Sequence, residues 1–159
     1  MERDKVVKID GGCHCGTIRY EAKVDPANVV ICHCTDCQQL SGSTFRTVVQ
    51  TNPDTFQLLS GVPKIYVKNC ESGNRREQTF CPNCDTPIYS ALVGDRARVV
   101  VLRVGAIRQR NELTPSDQYW FRSSQPWIAE LPTMKKRDKQ PVSDAGRSAA
   151  PDCLDIACR

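Results

Sequence analysis

Seven of the ten cysteines fall into three tight clusters: Cys13-His14-Cys15, Cys32-His33-Cys34-Thr35-Asp36-Cys37 and Cys81-Pro82-Asn83-Cys84. Cys70 stands alone, and Cys153 and Cys158 lie near the C-terminus. In a strand, residues i and i+2 share a face, so a Cys-x-Cys aims two sulfurs at one point. A Cys-x-x-Cys wraps around a metal ion with its backbone N–H groups directed at the sulfurs, and Pro82 stiffens that turn. Asp85 follows the last pair, where the chain often needs a positive φ, and Asp tolerates that conformation better than most residues. A structural zinc takes four ligands, while a catalytic zinc commonly keeps three and an open position. The middle cluster offers three sulfurs locally, Cys32, Cys34 and Cys37. Cys13, Cys15, Cys81 and Cys84 supply four more. The spacing therefore predicts two Zn²⁺ per chain, one in a closed site and one in an open site. The closed site joins Cys15 to Cys81, 66 residues apart, and such a clip acts chiefly on the unfolded chain.

Other readings compete with this one. The cysteines could be ordinary buried apolar residues or a disulfide framework. A second closed site, completed by Cys70 or a histidine, is the more serious alternative. His14 and His33 each sit between two ligands on a strand, so both should face the opposite side, packing against or supporting the ligands.

The open centre suits one kind of chemistry. Three thiolates on Zn²⁺ leave a net charge of about −1 and donate strongly, which makes the ion a poor activator of water. A soft external thiol suits it better: the thiol takes the fourth position, loses its proton and attacks a small aldehyde carbon. Asp36 is a candidate general base, though a helix cap is its more ordinary role. A thiol such as glutathione carries two carboxylates, so Arg46, Arg75, Arg76 and Arg122 are worth noting. Each reads first as a solvated charge, and none is placed in the site.

Strands must position these ligands. Val6–Ile9, Thr17–Val24, Val29–Ile31, Phe45–Val49, Thr55–Leu59, Lys64–Val67, Gln78–Phe80, Ile88–Leu92 and Arg98–Val104 are short apolar or alternating runs. Turn signals separate them, including Asn52-Pro53 and Ser60-Gly61-Val62-Pro63. Thr35–Leu40 predicts a single helical turn capped by Thr35 or Asp36, stopping at Ser41-Gly42. With no long helical periodicity, the expectation is an all-β fold in one domain, residues 1–133, with Val99-Val100-Val101-Leu102 in its core. Residues 134–159 are polar and aperiodic and read as a disordered tail holding Cys153 and Cys158 as free thiols.

Bulk properties narrow the function classes. The formal charge of +4 treats every cysteine as neutral. Seven thiolate charges, less the four of two Zn²⁺ ions, take the balance down to about +1, so nucleic acid is not an expected partner. Mean hydropathy is −0.44. No stretch approaches the ~18 apolar residues of a membrane span, and the charged N-terminus lacks an apolar signal core. The expectation is a cytoplasmic protein whose thiols stay reduced.

Taken together, Gly11-Gly12-Cys13-His14-Cys15-Gly16, Cys32-His33-Cys34-Thr35-Asp36-Cys37-Gln38 and Phe80-Cys81-Pro82-Asn83-Cys84 resemble the glutathione-dependent formaldehyde-activating enzyme family. Ser41-Gly42 with Phe45, and Gln118-Tyr119-Trp120 with Gln125-Pro126-Trp127, are similar to it too. The likeness covers roughly Lys8 to Pro132. It implies a zinc-bound β-tent of packed antiparallel sheets, with structural zinc on Cys13, Cys15, Cys81 and Cys84 and catalytic zinc on Cys32, Cys34 and Cys37. The implied activity is a carbon–sulfur lyase reaction run as a synthase, joining formaldehyde and glutathione into S-hydroxymethylglutathione. Asp85 departs from the family's usual glycine. The likeness extends to centromere protein V, so a non-catalytic zinc module that binds a partner stays open, as does a thiol or metal scavenger.

Overall fold

The computed structural model describes residues 6–96 and 98–139. Its contacts divide the chain into two units, Met1–Pro126 and Trp127–Arg159. Among the described residues, the first unit carries nine strands and all three cysteine clusters; Cys153 and Cys158 lie outside the described residues.

The strands are β1 (Val7–Gly12), β2 (Arg19–Cys32), β3 (Arg46–Thr51), β4 (Gln57–Ser60), β5 (Lys64–Asn69), β6 (Arg75–Phe80), β7 (Pro87–Leu92), β8 (Val100–Arg103) and β9 (Asp117–Tyr119). One short helix, α1 (Thr35–Ser41), follows β2. Hydrogen bonds link all nine strands in the order β1-β2-β3-β8-β7-β6-β5, and β4 and β9 also pair with β2. Every pairing is antiparallel except β2 with β9. The fold is all-β, as expected.

Two apolar runs expected as separate strands form the single strand β2. Its partner residue changes from Thr51 at Val24 to Val49 at Val29, so residues 25–28 stand opposite Gln50 alone. Pro26 has no N–H to give a ladder and is accommodated at such a bulge. Asp25 Oδ1 holds the bulge by accepting from Ala27 N at 2.9 Å.

Alternation along the strands sorts residues onto two faces. Ile18, Tyr20, Ala22, Val24, Val29, Val49, Ile88 and Leu102 are buried together in the core. Each buried aliphatic side chain stabilises by about 1.5–3 kcal/mol. The Tyr20 hydroxyl is satisfied by Ala106 O at 3.0 Å. The opposite phase of the same strands lines a cavity of about 530 Å³: Val30 and Cys32, Arg46 and Val48, Arg76 and Gln78, Val101 and Arg103. The apolar run Val99–Leu102 therefore splits. Leu102 is core, whereas Val101 faces the cavity.

The candidate metal centres and the cavity beside them

Cys13 and Cys15 sit on the turn between β1 and β2, and Cys81 and Cys84 on the turn between β6 and β7. Close packing requires glycine before the first pair: a Cβ on Gly12 would lie 2.3 Å from Ile18 O. Ile18 N donates to Cys13 Sγ at 3.1 Å. Asp85 adopts φ 57°, the left-handed conformation expected of the residue after the pair. The four sulfurs lie within 4.8 Å of one another. Cys13 Sγ is 3.5 Å from Cys15 Sγ, and Cys15 Sγ is 3.7 Å from Cys81 Sγ. Four sulfurs at about 2.3 Å from a tetrahedral zinc are about 3.8 Å apart, so this set fits the ion.

The three sulfurs of Cys32, Cys34 and Cys37 also lie within 4.8 Å of one another. Cys32 ends β2, and the other two bracket the start of α1. The helix cap corrects the expectation: it is Cys34, whose sulfur accepts from Cys37 N at 3.3 Å, not Thr35 or Asp36. Sulfur here takes the place of a capping oxygen. Gly42 closes the helix at φ 64°. Asp36 stands in the first turn, where a carboxylate suits the helix dipole, and pairs with Lys68. The hydrogen bond with Cys37, helped by those with Cys34 and by His33 against the effect of burial, brings Cys32 down to about 5. The same bond holds Cys37 up, and burial raises Cys34. Three sulfurs this close cannot all shed protons without a cation between them, and a metal ion is such a cation. Cys70 belongs to neither sulfur group.

The histidines behave differently from each other. His33 is fully buried and edge-on to Phe45 and Phe121, in the packing role expected of it. Its Nε2 lies 2.8 Å from Gln118 Oε1, and Nδ1 has no partner among the described residues. His14 is exposed, so packing does not describe it; its backbone N donates to Thr86 Oγ1 at 3.0 Å. A polar web ties the ligand segment to residues 118–125. Gln38 Nε2 donates to His33 O (2.7 Å) and Ser123 O (2.9 Å), and Gln125 Nε2 donates to Gln38 Oε1 (2.8 Å). This web holds Tyr119 and Trp120 on the cavity wall, with Trp120 at φ 57°.

The arginines correct the sequence reading most. Arg46 is buried directly opposite Cys32 on the β2–β3 ladder, and Arg76 also lines the cavity. Arg103, which sequence reasoning missed, is buried there as well. Arg75 is exposed, and Arg122 lies over the Trp120 ring, 4.9 Å from its centroid. Alternation was the available signal, since Arg103 follows core Leu102 and must face the other way.

A model of the glutathione-dependent formaldehyde-activating enzyme family matches residues 8–123. The chain belongs to this family. Its fold is similar to that of a Rhodobacter sphaeroides protein of known crystal structure, at 15% identity and TM-score 0.53, over 69% of this chain and 98% of that one. Membership in the formaldehyde-activating family supports a formaldehyde-activating function connected with glutathione, and the two sulfur groups are places for metal ions consistent with zinc. No helix among the described residues is long and apolar enough to cross a membrane.

Proposed function

We propose that the chain is a zinc-dependent carbon–sulfur lyase acting as a synthase, forming S-hydroxymethylglutathione from glutathione and formaldehyde or carrying out a related thiol–aldehyde addition. The observation that carries this reading is the contrast between the two sulfur groups. One has four sulfurs, enough for a tetrahedral ion. The other has three, all on the wall of a cavity of about 530 Å³. Zinc held by Cys32, Cys34 and Cys37 would supply a soft Lewis-acid position that favours the deprotonated form of an incoming thiol.

The chain's own residues supply the rest. Arg46, opposite Cys32, offsets the negative charge of the sulfur group. Tyr119 and Trp120 give the cavity wall an aromatic surface against which a substrate can rest. Asp36 is engaged by Lys68, which makes it a poor base; it helps position α1 instead. In the reaction a carbon–sulfur bond forms, the carbonyl double bond becomes single, and the thiol proton ends on the new hydroxyl, with no change in oxidation state.

The test is exchange NMR of glutathione and carbon-13 formaldehyde with zinc-loaded protein. The expected result is interconversion faster than the spontaneous reaction, and loss of that increment in Cys37→Ser. Background rates from a fully metallated chain would discard the enzyme reading in favour of a non-catalytic zinc module.

A further inference from the structure

Arg46 and Arg103 present a charge problem that, among the described residues, the sulfur group answers only in part. Both are more than nine-tenths buried. Both turn to a single neutral acceptor, Gln78 Oε1, at 3.3 and 2.8 Å. The Nε of each has no hydrogen-bond partner among the described residues. Burying a guanidinium without partners is costly, and the cost is relieved by a carboxylate, whose two oxygens match the planar fork. Burial, with the repulsion of Arg46, pushes Arg103 down to about 9, which expresses the same shortage of negative charge.

Register places these groups. Arg46 faces Cys32, and Arg103 faces Val48, two residues along from Arg46 on the same side of β3. Direct neighbours across a ladder have Cβ atoms about 5 Å apart and diagonal ones about 7–8 Å. The guanidinium pair therefore stands beside the three-sulfur group, inside a cavity that also holds Arg76. Three thiolates on one zinc carry a single net negative charge, fewer than the arginines nearby. An incoming thiolate adds charge at the metal but brings no oxygen pair to the two orphan N–H donors.

We propose that Arg46 and Arg103, bridged by Gln78, form a seat for a carboxylate of the substrate beside Cys32, Cys34 and Cys37, so that the preferred ligands are a carboxylated thiol, a carboxylated aldehyde, or both. The proposal rests on the reading of that centre as a thiol–aldehyde site and adds the group that recognises the substrate.

Matched pairs of ligands test it. The cobalt-loaded full-length chain is titrated with mercaptoacetate and mercaptoethanol, read by the sulfur-to-cobalt charge-transfer band. The zinc-loaded chain is titrated with glyoxylate and acetaldehyde, read by Trp120 emission in a Trp127→Phe background, where it is the sole tryptophan. The carboxylated member should bind at least about tenfold more tightly, the smaller end of what a charged hydrogen bond contributes. A preference in the thiol pair assigns the carboxylate to the thiol, and one in the aldehyde pair assigns it to the carbonyl partner. Arg103→Lys should weaken the preference. Gln78→Glu should abolish it while raising the thermal midpoint, because the chain then carries its own carboxylate between the arginines. Equal binding within both pairs would overturn the proposal and leave the arginines as counter-charges to the sulfurs. If no thiol changes the cobalt band, the thiol–aldehyde reading fails and acetate decides the seat. Acetate binding that is lost in Gln78→Glu keeps the seat, and no acetate binding removes it.

Discussion

Replacing Cys81 by Ser should destabilise the chain about twice as much as replacing Cys37 by Ser, and loop lengths set the ratio. The four-sulfur group joins the β1–β2 turn to the β6–β7 turn across 66 residues. Treated as a cross-link, closing that loop removes unfolded-chain entropy equivalent to about 4 kcal/mol, while the loop from Cys32 to Cys37 is equivalent to about 2 kcal/mol. Cys81 adds to the difference because it is fully buried, so a serine hydroxyl there would lack both metal and water. For a chain of this size about 2–4 °C accompanies each kcal/mol, so the midpoint should fall by ~8–16 °C for Cys81→Ser and by ~4–8 °C for Cys37→Ser. The assay is thermal unfolding followed by circular dichroism, with both variants purified in excess zinc. Equal midpoints, or a larger fall for Cys37→Ser, would show that the four-sulfur group is not the clip that pins distant segments together.

Elemental analysis of gently purified protein should give two zinc ions per chain, falling to one in Cys37→Ser as the three-sulfur site loses its hold. Gln118→Leu leaves both ring nitrogens of buried His33 without partners and should cost about 1–3 kcal/mol in chemical denaturation; an unchanged midpoint would mean His33 is held by packing alone. Asp36→Asn weakens a half-exposed ion pair and should cost under ~1 kcal/mol, with turnover within a few-fold of wild type. A loss of several hundred-fold in the exchange assay would instead restore Asp36 as the general base.

The strand rule does not place the Cys-x-Cys pairs: Cys13 and Cys15 sit on a turn, and Cys34 caps α1. The cysteine partition was legible nonetheless, because it depends on short spacings and on a positive φ at Asp85. Most strands were legible from alternation for the same reason. What escaped depends on partners distant in sequence. β9 is three residues long, too short for any periodicity, and exists because β2 offers a free parallel ladder at Val30–Cys32. The continuity of β2 through Pro26 is set by the bulge opposite Gln50, not by local propensity. Oxygen-bearing residues are the ordinary caps because sulfur is a weaker acceptor, yet Cys34 caps α1, held in place by the group it shares with Cys32 and Cys37. Arg46 and Arg76 read as solvated charges because surface placement is the ordinary fate of arginine. Only the second face of the sheet shows why these are inside.

The unequal reach of the two sulfur groups also orders events during synthesis. A ribosome adds about 5–20 residues per second, and the chain emerges N-terminus first. Cys32, Cys34 and Cys37 are all present once residue 37 has emerged, and the helix turn that gathers them is local. Cys13 and Cys15 emerge earlier but have no complete site until Cys84 follows, some 70 residues after Cys15. For several seconds the nascent chain therefore offers one complete three-thiol trap and one lone thiol pair. On the proposed reading, the three-sulfur group is the first metal site to be complete, and the four-sulfur clip is the last.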